Sequence, residues 1–448
     1  MMKRNYIRLV LNIILMLLCM DLPLLFYYVR FPLPVQIFMY IASFVCTVII
    51  LVTADGSSGQ AKRTTTLLRG NSLLATFLVT LVIQICSGIA AIFVLPINLM
   101  IRNVIGWVSV TVVIENALFW VGIIRLYAVS VQLGIKLRVI GILLGWIPIA
   151  NLVMLHRIMK VTAAEADCEN EKYLLDIQRA ESEICRTKYP VLLVHGVFFR
   201  DFRYLNYWGR IPRALKANGA KVYYGEQQSA ASVPECGREL AEKIRNVVEK
   251  TGCEKVNIIA HSKGGLDSRW AISNEGVSDL VASLTTINTP HHGCIFAEEL
   301  LGKIPAKAQN ALAKTYNGTL KRMGDKNPDF LTAVRDLTNS RCNELDGEMP
   351  DVEGVFYQSV MSSVAHAAGG KFPLNVAYPL VKHYDGENDG LVSVESGLKW
   401  QTQLRLLPPK KRGISHADMI DLYRENIDSF DVREFYVDLV HGLAERGL

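Results

Sequence analysis

Val256-Asn257-Ile258-Ile259-Ala260-His261-Ser262-Lys263-Gly264-Gly265 reads as an apolar strand that runs into a serine and then into a helix. A serine at such a junction sits on a tight, strained turn, and the residues two before and two after it must be small for the chain to fold around it. Gly264 meets that need fully, and Ala260 meets it with one methyl to spare. The bland alternative is a helix-capping serine, and the strand on one side with the helix on the other argues against it. The stretch implies a nucleophile elbow, so the rest of the chain must supply a base, an acid and an oxyanion hole.

Around this turn, short apolar strands alternate with helical patterns, as a mostly parallel sheet with crossover helices requires. The spacing predicts strands over Tyr189–Val194, Lys221–Tyr224, Val256–His261 and Leu280–Ile287, and helices over Trp208–Ala217, Arg238–Thr251 and Gly265–Ala271. The fold class is α/β. In such a fold one oxyanion donor is the N–H directly after the nucleophile, here Lys263. The second is expected where His195-Gly196-Val197 follows the first strand, and the Val197 N–H is the candidate; His195 itself reads as a shaper of that turn. The apolar Val197-Phe198-Phe199 suits an acyl chain, or equally core packing. The acid and base should follow in that order. Asp389, in Glu387-Asn388-Asp389-Gly390, is the favoured acid, and Asp385 is its competitor. His416, in Ser415-His416-Ala417-Asp418, is the candidate base; His366 and His383 precede the acid, and His441 lies on a C-terminal helix. Acyl transfer by these groups requires no metal and no organic cofactor.

The front of the chain is different in kind. Residues 1–160 carry 13 Lys/Arg against Asp21, Asp55 and Glu115, a net of +10, while the remainder has 35 basic and 39 acidic residues, a net of −4. Apolar runs of about the 20 residues a bilayer crossing needs lie near Leu9–Tyr28, Leu33–Thr53, Leu73–Leu95, Val104–Ile124 and Val139–Leu155. The first is no signal peptide by this reading, because four more runs follow it and no small-residue cleavage pattern does. Basic residues alternate in number between successive loops, from Lys3, Arg4 and Arg8 to Arg30, to Lys62, Arg63 and Arg69, to Arg102, to Arg125, Lys136 and Arg138. This places the N-terminus in the cytoplasm. The fifth run is short and interrupted by Pro148 and Asn151. Read as spanning, it puts the catalytic part outside the cytoplasm; read as re-entrant, it keeps it inside, and the spanning reading is taken here. The organisation expected is therefore 1–160 as a transmembrane helical domain of four or five spans, 161–187 as an acidic helical connector and 188–448 as the α/β catalytic domain. No basic cluster interleaved with aromatics occurs in the soluble part, so nucleic acid is not an expected partner. The nine cysteines show no C-x-x-C pair and no zinc spacing.

Tyr189-Pro190-Val191-Leu192-Leu193-Val194-His195-Gly196, the elbow, and Ser283-Leu284-Thr285-Thr286-Ile287-Asn288-Thr289-Pro290-His291-His292-Gly293 together resemble the bacterial triacylglycerol lipases of the α/β-hydrolase fold. The resemblance runs from about Lys188 to the C-terminus and is strongest up to Gly293. It implies that Ser262, Asp389 and His416 match the family's nucleophile, acid and base, and that a lid helix follows, with Ile304–Met323 the candidate beside an ordinary surface helix. Family members hold a structural calcium through two aspartates. Asp418 matches one, but from His366 to Tyr378, where the other belongs, there is no carboxylate, so calcium is not expected. Lys263 and His292 stand where the family commonly has glutamine and arginine, and the membrane domain lies outside its pattern.

These readings point to a plasma-membrane enzyme, in a bacterium, that cleaves lipid acyl esters. An acyltransferase or deacylase working on a lipid-linked substrate uses the same groups. An inert hydrolase-like membrane interaction protein is the alternative from another class, and the presence of all four catalytic elements argues against it.

Overall fold

A computed structural model describes residues 6–53, 61–94, 97–197, 206–322, 325–406 and 412–448. The chain forms two compact units, Met1–Ile177 and Gln178–Leu448.

The first unit is all helix. α1 (Tyr6–Met20) and α2 (Leu22–Tyr28) meet at 54° across Asp21, where Pro23 starts the second segment. Asp21 accepts hydrogen bonds from Gln84 Nε2 at 3.0 Å and Trp107 Nε1 at 2.9 Å, so the bend carries a carboxylate that its neighbours satisfy. α3 (Leu33–Thr53), α4 (Lys62–Val94) and α5 (Ile97–Val129) follow. Among the described residues three helices are long and apolar enough to cross a membrane, and four are if α1 and α2 count as one bent span. α4 and α5 pack closely because glycine faces glycine. A methyl on Gly70 would come within 2.7 Å of Leu126 Cδ2, and one on Gly122 within 2.8 Å of Leu74 Cγ.

The fifth apolar run is not one helix. It is split between α6 (Gly134–Leu144) and α7 (Pro148–Arg179), and neither is among the candidate spans. The cause is local. Pro148 has no N–H to extend a helix from the preceding residues, and it is favoured in the first turn of a new one. The run read from the sequence as Val139–Leu155 is therefore divided between two helices. α7 then runs without a break through the acidic stretch to Arg179.

The second unit is a six-stranded, wholly parallel sheet in the order β2-β1-β3-β4-β5-β6: β1 Val191–Val194, β2 Val222–Tyr224, β3 Val256–His261, β4 Val281–Ile287, β5 Phe356–Met361 and β6 Gln403–Arg405. Alternate residues feed opposite cores. Val191, Leu193 and Ile259 join one buried cluster, and Leu192, Val194, Ile258 and Ala260 the other, which is why the central strands read as runs rich in apolar residues. α8 (Ile211–Ala217), α9 (Val233–Thr251) and α10 (Lys263–Asn274) are crossovers. α9 begins five residues before the predicted Arg238, because Ser232 and Glu235 form a reciprocal capping box with Pro234 in the first turn. The layout is that of the α/β-hydrolase fold, with the tip of the central strand β3 leading into the serine turn.

Candidate active site

Ser262 lies between β3 and α10 with φ 55° and ψ −133°, in the left-handed half of backbone space that non-glycine residues rarely occupy. Close packing holds it there. A methyl on Gly264 would sit 2.4 Å from the His195 carbonyl oxygen, and one on Gly196 would sit 2.8 Å from Ser262 Cβ. Small residues at these positions let β1 and the elbow approach each other. Ala260 is fully buried between them, and its single methyl fits.

Asp389 and His416 come together from two loops 27 residues apart. His416 Nδ1 is 2.6 Å from Asp389 Oδ2, and the His416 backbone N–H donates to the Asp389 carbonyl at 2.9 Å. The carboxylate is fixed from its other sides by the amides of Leu391 (2.8 Å) and Val392 (2.7 Å) and by Asn288 Nδ2 (2.6 Å). The His416 ring packs on His261, the residue before the serine, with centroids 4.4 Å apart. Burial pushes His261 well below the usual histidine range, and a charge on His416 would push it further. A neutral His261 puts no positive charge beside the His416 ring. No hydrogen bond joins Ser262 to His416, as is common before substrate tightens such a site.

Other residues go elsewhere. Asp385 accepts the amides of Ile295 (2.8 Å) and Phe296 (2.9 Å), so it is engaged at the start of α11 (Ile295–Lys303), while the His416 ring bonds Asp389. His195 is fully buried, with its ring nitrogens on the carbonyls of Gly196 (2.8 Å) and Gln227 (3.0 Å), which suits shaping the turn. His366 and His383 are exposed, and His441 bonds the Ile184 carbonyl at 2.9 Å. Asp418 is engaged by Ser415 (amide 2.8 Å, hydroxyl 2.7 Å) and by the Arg412 guanidinium at 3.1 and 3.2 Å. A guanidinium thus takes the place a cation would need, and the donor set does not fit calcium. Val197 is buried with Leu320 of α12 (Ala306–Arg322), the helix covering most of the expected lid stretch; Met323, Phe198 and Phe199 fall outside the described residues. The Val197 amide donates no hydrogen bond among the described residues, nor does that of Lys263.

Sequence reasoning passed over three residues here. Tyr207 donates its hydroxyl proton to, or accepts from, His261 Nδ1 at 2.7 Å and accepts the Gly196 amide at 3.0 Å, linking both halves of the site. No local pattern marks it. Asn288 was visible only as part of the Asn-Thr-Pro motif. Asp267 pairs with Lys263 at 2.6 Å beneath the elbow, fully buried; burial pulls Lys263 down, and Asp267 by charge and hydrogen bond, joined by Cys236 and Asp336, together reverse this and keep it protonated. The i, i+4 spacing of the two on one helix was the available signal.

Comparison with known proteins adds to this geometry. The family described as "Putative serine esterase (DUF676)" matches residues 217–343. A triacylglycerol lipase of Pseudarthrobacter phenanthrenivorans is 34% identical over 176 residues, 37% of this chain and 54% of that protein. One from Burkholderia plantarii is likewise 34% identical over 176 residues, 37% of this chain and 49% of the relative. The second unit resembles the bacterial triacylglycerol lipases. The chain spans about half the length of these curated relatives. Among solved structures, the Staphylococcus hyicus lipase aligns at a TM-score of 0.46 with 18% identity, covering 58% of this chain and 97% of that one.

Proposed function

We propose that the protein is a membrane-anchored serine carboxylic-ester hydrolase that cleaves acyl esters of lipids. The observation that carries the reading is the strained Ser262, whose chain neighbour His261 packs on the ring of a histidine held through Nδ1 by a four-fold bonded carboxylate. Ser262 Oγ attacks the ester carbonyl carbon while His416 Nε2 takes its proton. Asp389 fixes the tautomer and stabilises the imidazolium. The carbonyl oxygen, now negative, is received by the Val197 and Lys263 amides, and each such donor contributes about 3 kcal/mol to the transition state. Collapse expels the alcohol, which leaves with the proton from His416, and Ser262 keeps the acyl group. Water, deprotonated by His416, then releases the acid and restores the serine.

Chemical labelling by a fluorophosphonate tests the nucleophile: the wild-type chain is labelled and Ser262→Ala is not. A hydrolysis profile over esters of rising chain length tests the substrate class, with rates expected to rise towards long-chain esters presented in a bilayer. Preference for short soluble esters with no gain at an interface overturns the lipid assignment. Transfer to an added alcohol in place of water would favour the acyltransferase reading.

A further inference from the structure

The chain on either side of the fifth apolar run returns to one place within the first unit. Just before α6, the Ser130 hydroxyl and the amides of Val131 (2.9 Å) and Gln132 (3.3 Å) all donate to one carboxylate, that of Glu165, a residue far along α7. Arg63, at the start of α4, completes the set. Glu165 is 1% exposed, so this is a buried and fully engaged charge. Further in, a methyl on Gly141 of α6 would meet Ile158 Cδ1 of α7 at 3.1 Å. Positions 131 and 165 are thus neighbours, as are 141 and 158, so the chain between them goes out and comes back through the turn at Gly145-Trp146-Ile147.

We infer that α6 and the first half of α7 form a re-entrant hairpin, inserted into the acyl chains of the leaflet that it enters, with both ends on one side of the membrane. Three observations support this. The stretch Val139–Leu155 holds no charged residue, while Lys136 and Arg138 precede it and Arg157 and Lys160 follow it, a basic ring at both mouths. α6 has 11 residues, so it is about 17 Å long, roughly half the hydrocarbon core. The turn and its flanks expose apolar side chains that nothing in the unit covers: Trp146 is 91% exposed, Ile149 79%, Leu143 67% and Ile142 61%. Water is a poor occupant of such a tip, and lipid continuous with that around α4 and α5 is a good one.

The consequence is sidedness. With α1 and α2 as one bent span, α3, α4 and α5 make four crossings, and the hairpin adds none. Arg63, on a loop assigned to the cytoplasm by its charges, lies at the mouth beside Glu165. The second unit, following α7, is then cytoplasmic, which replaces the extracytoplasmic expectation. This inference deepens the anchoring part of the proposed function and does not depend on the ester chemistry.

Single cysteines test it in sealed vesicles of either orientation, against the background of the unsubstituted full chain. Lys136→Cys and Lys160→Cys are expected to react with a membrane-impermeant maleimide only in inside-out vesicles, and Trp146→Cys in neither orientation until detergent is added. Labelling of the two lysine positions from opposite faces overturns the hairpin, as does ready labelling of Trp146→Cys in intact vesicles. Labelling of both lysine positions from the outer face keeps the hairpin and overturns the cytoplasmic assignment. Ester hydrolysis measured on the same vesicles reports whether each variant is folded. Loss of the topology pattern with activity intact counts against the hairpin alone, and a correct pattern in an inert wild type counts against the hydrolase alone.

Discussion

Two aspartates four residues apart, Asp385 and Asp389, were both plausible acids, and their surroundings separate them. Asp389 takes four donors including the His416 ring, whereas Asp385 takes two helix-end amides. Asp389→Asn is expected to lower kcat about 10⁴-fold with the fold intact, because the amide no longer selects the productive tautomer. Asp385→Asn should leave kcat within a few-fold and cost about 1 kcal/mol of stability through the lost helix-terminal charge. Steady-state kinetics and denaturant melts on both variants check the pair; equal losses of kcat would defeat the assignment. At Gly264 the obstacle to a side chain is backbone, the His195 carbonyl at 2.4 Å, which cannot rotate away. Gly264→Ala should therefore destabilise by about 1–3 kcal/mol and lower activity, because the elbow must shift. An unchanged melting temperature would show the turn to be looser than this contact implies.

The buried histidines make stability depend on pH. His261 and His291 are fully buried, and burial, the larger cause in each, holds both well below 6.5; His416 adds to it at His261, and Arg269 at His291. A depressed value means that the unfolded chain binds more protons than the folded one below 6.5. Their contribution is therefore complete above that pH and is lost as pH falls through and below it. His291 bonds the Thr286 hydroxyl at 2.9 Å and packs edge-to-face against Trp400. His291→Gln should give a shallower dependence of Tm on pH below about 6.5 than the wild type, read by thermal melts across that range; parallel curves would exclude the mechanism. What was legible at the level of elements follows from the same burial. β1, β3 and β4 are buried on both faces, so their sequences are rich in apolar residues at successive positions, broken only by buried Asn257, His261, Ser283, Thr285 and Thr286, and they stand out. β5, Phe356–Met361, is half covered at its start and mixes Gln358 and Ser359 with apolar residues, and β6 is three exposed residues, so neither announces itself. The elbow, the candidate base and the acid carried local signals. Tyr207 and Asn288 did not, since their partners lie 54 and 101 residues away in the chain. The break before Pro148 was visible as a proline, but the pairing of residues 130–132 with Glu165 that turns it into a hairpin is a tertiary contact.

On the proposed function, a basic, apolar front fused to an acidic back ties the catalytic site to one bilayer, and such a tether has a kinetic consequence. An ester in the same membrane meets the enzyme at an effective concentration set by the surface, not by the bulk solution, whereas an ester in another vesicle must first leave its own membrane. Long acyl chains desorb slowly because each buried methylene adds about 0.8 kcal/mol to the cost of entering water. Reconstituted full-length protein should thus hydrolyse a long-chain ester in its own vesicles about 100-fold faster than the same amount of ester supplied in separate, enzyme-free vesicles. For a short-chain, water-soluble ester the two arrangements should give equal rates, since the substrate reaches the site through solution either way. Mixing experiments with the ester placed in one population or the other measure both ratios. A long-chain ratio near one would mean that the anchored unit reaches across to other membranes or draws substrate from water, and the four crossings and the hairpin would then have a purpose other than bringing the serine to lipid.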